Sequence, residues 1–212
     1  MIKTQNKNKV GVDLGILNYI YDSNGNHFDN PKYLNESFKK LAKAQKKLSK
    51  KKKGAINRNK QRLKTAIIHE RITNQRNDFL HKLSRYYINN CSLIAIENLN
   101  VKGLIKLSYN AKNIIDASWS RFIQMLEYKA ERAGVQIAKV EPGGTTQTCS
   151  SCGTEIYKNL WNRIHKCECG HEIERDYNSA KEILKRALIR QDLSEFTPME
   201  IKPLLIQEQA GL

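Results

Sequence analysis

The chain has 212 residues, a formal net charge of +16 and a pI of about 9.7. This length allows one buried core with a small insertion, and the charge indicates an anionic partner. Nucleic acid is favoured over an anionic membrane, because the sequence has no lipidation motif, no apolar span of membrane length and no strongly apolar amphipathic face. It also has no signal peptide, so we expect a cytoplasmic protein that does not bind membranes.

Residues 8–22 predict two short strands at the start of a sheet, and the DSNGN turn at 22–26 predicts a hairpin. Asn24 and Gly25 are expected to adopt positive φ in that turn. Asp13 stands within the first strand, where a carboxylate is costly unless it is paired or binds a metal. The alternative for Asp13 is a strand-end residue that caps a turn.

From Asn35 to about Asn90 the pattern predicts two basic helices, with a break at Gly54. The core-facing positions expected in the first helix are Phe38, Leu41, Ala42, Gln45 and Leu48. Those expected in the second helix are Ile67, Ile68, Ile72, Phe79, Leu80, Leu83 and Tyr87.

Every ionisable side chain from Lys39 to Lys64 is a lysine or an arginine. A solvated helix face is the alternative, but neighbouring lysines repel one another unless an anion neutralises them. We therefore expect this run to follow a phosphate backbone. The residues expected to bind nucleic acid are Lys39, Lys43, Lys46, Lys47, Lys50, Lys51, Lys52, Lys53, Arg58, Lys60 and Arg62.

Residues 91–99 predict an apolar strand, and Glu97 lies near its C-terminal end, where sites form in α/β proteins. The next helix is expected to be capped by Asp116 or Ser118 and to stop at Gly134. Its predicted apolar face consists of Phe122, Ile123, Leu126 and Ala130. A strand over VQIAKVEP and a helix after Asp176 follow, and this alternation of strands and helices predicts an α/β sheet fold.

Two close pairs of cysteines predict a tetrahedral zinc site. The pairs are Cys149 with Cys152 and Cys167 with Cys169. Disulfides or scattered free thiols are the alternatives, and a reducing compartment argues against disulfides. One residue separates the second pair where two are usual, so His165 or His171 could replace one thiolate. The fifth cysteine, Cys91, is expected in the core.

Asp13, Glu97 and Asp176 each interrupt or end an apolar element of the predicted sheet core. Three carboxylates that met would need divalent cations to offset their repulsion. Two Mg²⁺ ions held there could activate a water for attack on a phosphodiester. Spacing alone leaves open whether the three meet, and an ordinary helix N-cap is the alternative for Asp176.

Several blocks in order resemble the TnpB (OrfB) proteins of insertion sequences, relatives of the type V Cas nucleases. They are GVDLG, HERITNQRNDFLHKLS, IENLNVKGL, DASWSRFIQMLEYKAERAG, TTQTCSSCG and ERDYNSA, and the likeness runs from about residue 8 to residue 190. The tail segment EFTPMEIKP is also similar.

The resemblance implies a RuvC-like, RNase H-type nuclease domain interrupted by a zinc ribbon. It implies that Asp13, Glu97 and Asp176 are the catalytic, Mg²⁺-binding carboxylates, and that Cys149 and the other three paired cysteines hold Zn²⁺. The expected organisation is a nuclease domain over 1–145 with a basic helical insertion at about 35–90, the ribbon at 146–173, the last nuclease helix at 174–192 and an irregular tail at 193–212.

The activity implied is RNA-guided cleavage of DNA in a transposon, with guide RNA and DNA as partners. The alternative is a non-cleaving DNA- or RNA-binding remnant, or a repressor, of the same family. Only about seven residues precede GVDLG, whereas the family has a sizeable N-terminal region there, so a separately encoded N-terminal half, a decayed fragment or a reused domain is expected. The loop EPGGTTQTCSSCG also departs from the family, which usually has an aromatic or larger residue before the threonine pair.

Overall fold

A computed structural model of the chain describes residues 8–107, 109–159 and 161–195. The strands of this part are β1 (Lys9–Leu14), β2 (Asn18–Asp22), β3 (His27–Asp29), β4 (Leu93–Glu97), β5 (Gln136–Val140), β6 (Ile164–Lys166) and β7 (Glu172–Glu174). The helices are α1 (Tyr33–Ser49), α2 (Ile56–Asn90), α3 (Val101–Leu107), α4 (Ala111–Ala117), α5 (Trp119–Ala133) and α6 (Arg175–Glu195).

The first five strands form one mixed sheet in the order β3-β2-β1-β4-β5. β1, β4 and β5 are parallel, whereas β2 pairs antiparallel with both β1 and β3. The predicted α/β class is therefore confirmed as a mixed α/β fold. The predicted hairpin joins β2 to β3, but only Gly25 has positive φ, at 88°. The expectation of positive φ at Asn24 was wrong.

Helices cover both faces of the sheet. On one face, Val10 of β1 and Ile94 of β4 lie in a core cluster with residues of α2 and α5 such as Leu80 and Phe122. On the other face, Leu93, Ala95 and Val140 pack against Ile183 and Ala187 of α6. Because side chains alternate along a strand, odd-numbered residues of β1 and β4 face α6.

The two basic helices form a hairpin that turns at Gly54, where φ is 85°. In α1 the buried side chains are Leu41 and Ala44, while Ala42 and Gln45 are exposed, so the predicted face was off by part of a turn. Arg58 and Gln61, near the start of α2, donate to main-chain oxygens of α1, and the α2 residues of the core cluster begin only at Phe79. This position explains why Ile67, which was predicted to face the core, is exposed.

Asp116 and Ser118 do not cap α5 as predicted. Ser118 precedes α5 but its side chain makes no capping hydrogen bond, and φ there is 55°. Asp116 lies inside α4 and accepts a hydrogen bond from the Leu34 backbone nitrogen at 3.0 Å, so it caps α1. Its carboxylate also pairs with Arg76 of α2 at 2.6 Å. The buried carboxylate of Asp116 thus fastens both basic helices to α4.

Gly134 ends α5 with φ of 70°, as predicted, and Phe122, Leu126 and Ala130 are buried. Cys91 is also buried, and burial raises its pKa to about 11. Helices α3 and α4 were not predicted. Helix α6 includes residues 193–195, which were predicted to be irregular, and the rest of the predicted tail lies outside the described residues. No helix in the described ranges is long and apolar enough to cross a membrane.

Candidate functional site

The alternation of β1 and β4 places Asp13 and Glu97 on the same face of the sheet. Asp13 follows Gly11 by two residues, and Glu97 follows Ala95 by two. Gly11 and Ala95 are themselves paired across the two parallel strands. Both carboxylates therefore lie at the C-terminal edge of neighbouring strands, on the side covered by α6.

Helix α6 brings the third carboxylate to this edge. A Cβ atom on Gly11 would lie 2.1 Å from the main-chain oxygen of Ala180, so the helix crosses β1 in close contact. Asp176 lies one turn before Ala180 on the same side of α6. Asp13 lies two residues after Gly11, on the same face of β1. The contact between Gly11 and Ala180 therefore places Asp176 on the same side of the sheet as Asp13.

The charges of the three carboxylates act on one another. The pKa of Asp13 is raised well above its ordinary value, first by burial and then by repulsion from Glu97 and Asp176. The guanidinium of Arg175 opposes this shift. It lies 3.1 Å from the Asp176 carboxylate. A half-buried acid that resists ionisation near two other acids is a group for which a cation would compete with the proton.

Three carboxylates at one edge of a sheet supply oxygen ligands of the kind that a centre with two divalent metal ions uses.

Thr145 is a site residue that sequence reasoning missed. Its hydroxyl donates a 2.6 Å hydrogen bond to Oε1 of Glu97. Thr145 is buried, in the loop between β5 and the first cysteine pair. Its place in the threonine pair of EPGGTTQTCSSCG was the one sequence feature that singled it out. Its partner, Glu97, is 48 residues away in the sequence, and residue spacing does not predict such a contact.

Aromatic rings extend beside the carboxylates. Tyr21, which pairs with Asp13 across β1 and β2, stacks on His27 and on Tyr177, with ring centroids 5.5 Å apart in both cases. Nζ of Lys181 lies 4.3 Å from the Tyr177 ring centroid. Burial, followed by a hydrogen bond with Glu174, raises the pKa of Tyr21 to about 12, so its hydroxyl stays protonated.

The four predicted cysteines meet at one point. Sγ of Cys149 lies 3.9 Å from that of Cys169, and Sγ of Cys152 lies 3.5 Å from that of Cys167. All four are free cysteines, so the disulfide alternative is wrong. The thiol of Cys152 has its pKa lowered to about 6, first by hydrogen bonding with Thr154 and then with Cys167.

The one-residue gap in the second pair does not exclude Cys169. Gly170 follows with φ of 84°, and its nitrogen donates to the Cys167 oxygen at 3.0 Å, which closes a tight turn. His171 instead lies 3.5 Å from the Ser150 hydroxyl, and neither His165 nor His171 belongs to the ligand group. Four thiolates in such a group suit a structural zinc ion, which leaves no open coordination position.

The predicted nucleic-acid-binding residues lie on the α1–α2 hairpin. All are exposed except Lys51 and Arg58, which are half-buried. Nη1 of Arg58 donates to the main-chain oxygens of Leu48 and Lys51 at 2.9 and 3.0 Å, so this arginine ends α1 and supports the turn. No carboxylate interrupts the sequence from Lys39 to Lys64.

Comparison with known proteins identifies the family. Residues 2–108 match the family model OrfB_IS605, described as "Probable transposase", and residues 119–183 match the Cas12f1-like TNB domain. The first match covers half of the chain. The protein therefore belongs to the OrfB/IS605 family, to which TnpB proteins belong, as the resemblance implied.

Two curated relatives carry the name "Putative RNA-guided DNA endonuclease". One, from Streptomyces pristinaespiralis, is 39% identical over 84% of this chain and 45% of its own length. The other, InsQ from Escherichia coli K12, is 31% identical over 82% of this chain and 48% of its own length. The chain therefore spans about half the length of these relatives.

Solved structures of Cas12f complexes share the fold. A Cas12f1–sgRNA–target DNA complex matches with a TM-score of 0.58 and 21% identity, over 82% of this chain and 49% of that chain. A Cas12f ternary complex matches with a TM-score of 0.60 and 24% identity, over 84% of this chain and 39% of that chain.

Proposed function

We propose that the chain is the nuclease portion of an RNA-guided DNA endonuclease, with Asp13, Glu97 and Asp176 as its catalytic, Mg²⁺-binding carboxylates. The observation that carries the proposal is that Asp13 and Glu97 stand at the C-terminal ends of neighbouring parallel strands, and that the charges of Glu97 and Asp176 both raise the pKa of Asp13. The names of the curated relatives support the reaction and its partners, guide RNA and DNA.

The sheet supports assignment to the RuvC-like, RNase H-type fold. β2 runs opposite to the other four strands, and the order is β3-β2-β1-β4-β5. We assign the nuclease domain to residues 1–145 and 174–192, with the basic hairpin inserted after β3. The zinc ribbon, at 146–173, connects the sheet to α6.

The carboxylates divide the work of the site. When bound, divalent cations would activate a water and stabilise the leaving oxygen of a phosphodiester. Asp13 and Glu97 would hold them from the strand ends, and Asp176 would hold them from α6. Asp13 would release its proton when it binds them. Arg175, at 3.1 Å from Asp176, limits how much negative charge collects before binding.

The basic hairpin and the ribbon serve binding. The lysines of α1 and its turn neutralise phosphates, a contribution that is independent of sequence and weakens with salt. The four cysteines hold Zn²⁺ as a structural ion, which fixes the connection from β5 to α6 and so the position of Asp176. Mg²⁺ and Zn²⁺ thus have separate roles and separate ligands.

A cleavage assay tests the proposal. Purified chain is combined with RNA from its own locus, with target DNA and with a polypeptide that supplies the part of the relatives beyond the matched half. Wild-type protein should cut DNA in Mg²⁺ or Mn²⁺, and Asp13→Asn, Glu97→Gln and Asp176→Asn should each abolish cutting while binding persists. If the wild-type protein binds nucleic acid but does not cut DNA, under conditions in which a full-length relative does cut, the chain is instead a non-cleaving DNA- or RNA-binding module.

A further inference from the structure

We propose that Thr145 is a positioning residue for Glu97, and that the loop of residues 143–149 couples the zinc ribbon to this carboxylate. This inference rests on the proposed function, in which Glu97 is a metal ligand. The loop is called the coupling loop below. It begins just after β5 and ends at Cys149, the first zinc ligand.

The hydrogen bond from Thr145 selects one orientation of Glu97. Oγ1 of Thr145 lies 2.6 Å from Oε1, a distance typical of a hydroxyl that donates to an ionised carboxylate. Thr145 is only 4% exposed, so water does not compete well for the bond. With Oε1 engaged, Oε2 is left for a cation. Glu97 is half-buried at the end of a strand and would otherwise sample several rotamers.

Helix α6 holds the coupling loop from one side. Nη1 of Arg186 donates to the Gly143 oxygen at 2.7 Å, and Nη2 donates to the Thr148 hydroxyl at 3.2 Å. Nδ2 of Asn178 donates to the Thr148 oxygen at 2.8 Å. Arg186 is itself held by the buried carboxylate of Glu182 at 3.0 Å. Asn178, Glu182 and Arg186 are spaced by four residues, so one face of α6 is devoted to this loop.

The middle of the coupling loop forms a tight turn. Gly143 and Gly144 have φ of 121° and 70°, and the Thr148 nitrogen donates to the Gly144 oxygen at 2.7 Å. Thr145 is therefore one turn away from Cys149, which is fully buried. Because Thr145 and Cys149 are joined through this hydrogen-bonded turn, we expect a shift of Cys149 on loss of zinc to displace Thr145 as well. The zinc site should thus act on Glu97, in addition to its effect on Asp176.

The measurement is Mn²⁺ affinity, read as free Mn²⁺ by electron paramagnetic resonance, alongside the rate of DNA cleavage. Mn²⁺ binding that is present in wild-type protein and absent in Asp13→Asn is assigned to the carboxylate site. We expect Thr145→Val to weaken this binding and slow cleavage by about 10–100-fold, as losses of supporting contacts to metal ligands do. Thr145→Ser keeps the donor and should remain within about threefold of wild type. The exposed neighbour supplies a matched control, Thr146→Val, with no expected effect.

Zinc content distinguishes a positioning role from a general loss of structure, because a folded Thr145→Val variant should retain one zinc per chain.

A combined variant tests the coupling. Cys149→Ser with Cys152→Ser should weaken Mn²⁺ binding, and adding Thr145→Val should reduce the Mn²⁺ affinity little further, because the changes act through one contact. Arg186→Gln leaves every zinc ligand in place and should produce part of the same loss.

Wild-type Mn²⁺ affinity in Thr145→Val would overturn the positioning role, and so would a Thr145→Ser variant as weak as Thr145→Val. Fully additive losses in the combined variant would overturn the coupling. If wild-type protein binds Mn²⁺ through Asp13 and Thr145→Val weakens that binding, yet no DNA is cut, the proposed function fails and the positioning role stands. If wild-type protein shows no Asp13-dependent Mn²⁺ binding, both fail.

Discussion

Gly11 and Ala180 bring β1 and α6 into direct backbone contact, since a Cβ atom on Gly11 would lie 2.1 Å from the Ala180 oxygen. Two further atoms of Leu184 would lie within 2.9 Å of that Cβ. This contact sets the height of α6 above the sheet. It also sets the distance between Asp13, two residues further along β1, and Asp176, one turn earlier in α6.

Gly11→Ala should therefore damage both stability and activity. Because backbone cannot yield as a flexible side chain can, we expect the free energy of unfolding to fall by about 1–3 kcal/mol. Urea denaturation measures this change, and DNA cleavage should fall further than stability explains, because α6 carries Asp176. Gly54→Asn is the control, since Gly54 has open space around it and asparagine tolerates its positive φ. Equal effects of the two substitutions would contradict the close-contact argument.

The raised pKa of Asp13 predicts how stability depends on pH without added Mg²⁺. The unfolded carboxyl titrates near 3.8, whereas the folded one keeps its proton to higher pH. Between these values the folded state holds more protons, so the stability of the metal-free protein falls as pH rises through that window. Asp13→Asn should flatten this fall and raise the melting temperature at neutral pH. Thermal denaturation across pH measures it.

Asp29→Asn is the control for this pH dependence, because Asp29 is an exposed carboxylate at the end of β3. It should leave the fall in melting temperature unchanged. An identical pH profile for wild type and Asp13→Asn would show that burial and the neighbouring carboxylates do not hold the proton on Asp13.

The lysines at the turn of the basic hairpin should govern the salt dependence of binding. Changing Lys50, Lys51, Lys52 and Lys53 together to Gln should flatten the slope of log affinity against log salt by about three units, because fewer counterions are released from nucleic acid. Sequence preference should not change. Titrations at several salt concentrations measure the slope.

The matched control for that surface replaces four exposed lysines elsewhere, Lys9, Lys102, Lys106 and Lys112, with Gln. If this set flattens the slope as much as the hairpin set, binding reflects net charge and not the hairpin. An unchanged slope in the hairpin variant would show a merely solvated surface.

The zinc site should be lost with the first pair of cysteines. Cys149→Ser with Cys152→Ser should release one zinc per chain, measured by elemental analysis, and should lower cleavage by misplacing Asp176 while Asp176 itself remains. Cys169→Ala should also lose zinc, whereas His171→Ala should keep it, since the His171 ring faces Ser150. Full zinc in Cys169→Ala with none in His171→Ala would reverse the ligand assignment. Protein prepared without chelator that holds no zinc would refute the ribbon.

The parts of the site that are local in sequence could be predicted, and those that depend on folding could not. The cysteine spacing carries the zinc prediction, because each turn delivers two ligands within a few residues. An acid in an apolar strand carries the prediction for Asp13, because burial of such a group is costly. The single residue between Cys167 and Cys169 left a doubt that only the positive φ of Gly170 removes.

Long-range contacts account for the failures. Asp116 was expected to cap the helix next to it, but it caps α1, 82 residues away, and pairs with Arg76. Thr145 escaped notice because its partner, Glu97, is 48 residues away. The exposed Ile67 reflects how far α2 extends beyond the sheet, which helical periodicity does not report.

The central claim is that Asp13, Glu97 and Asp176 hold divalent cations at one edge of the sheet. Anomalous diffraction from crystals soaked in Mn²⁺ tests it most directly, and zinc at the four cysteines provides an internal control at its own absorption edge. We predict two manganese peaks about 3.5–4 Å apart between the three carboxylates, and their loss in Asp13→Asn crystals. A clear zinc peak without any manganese among these carboxylates would contradict the account.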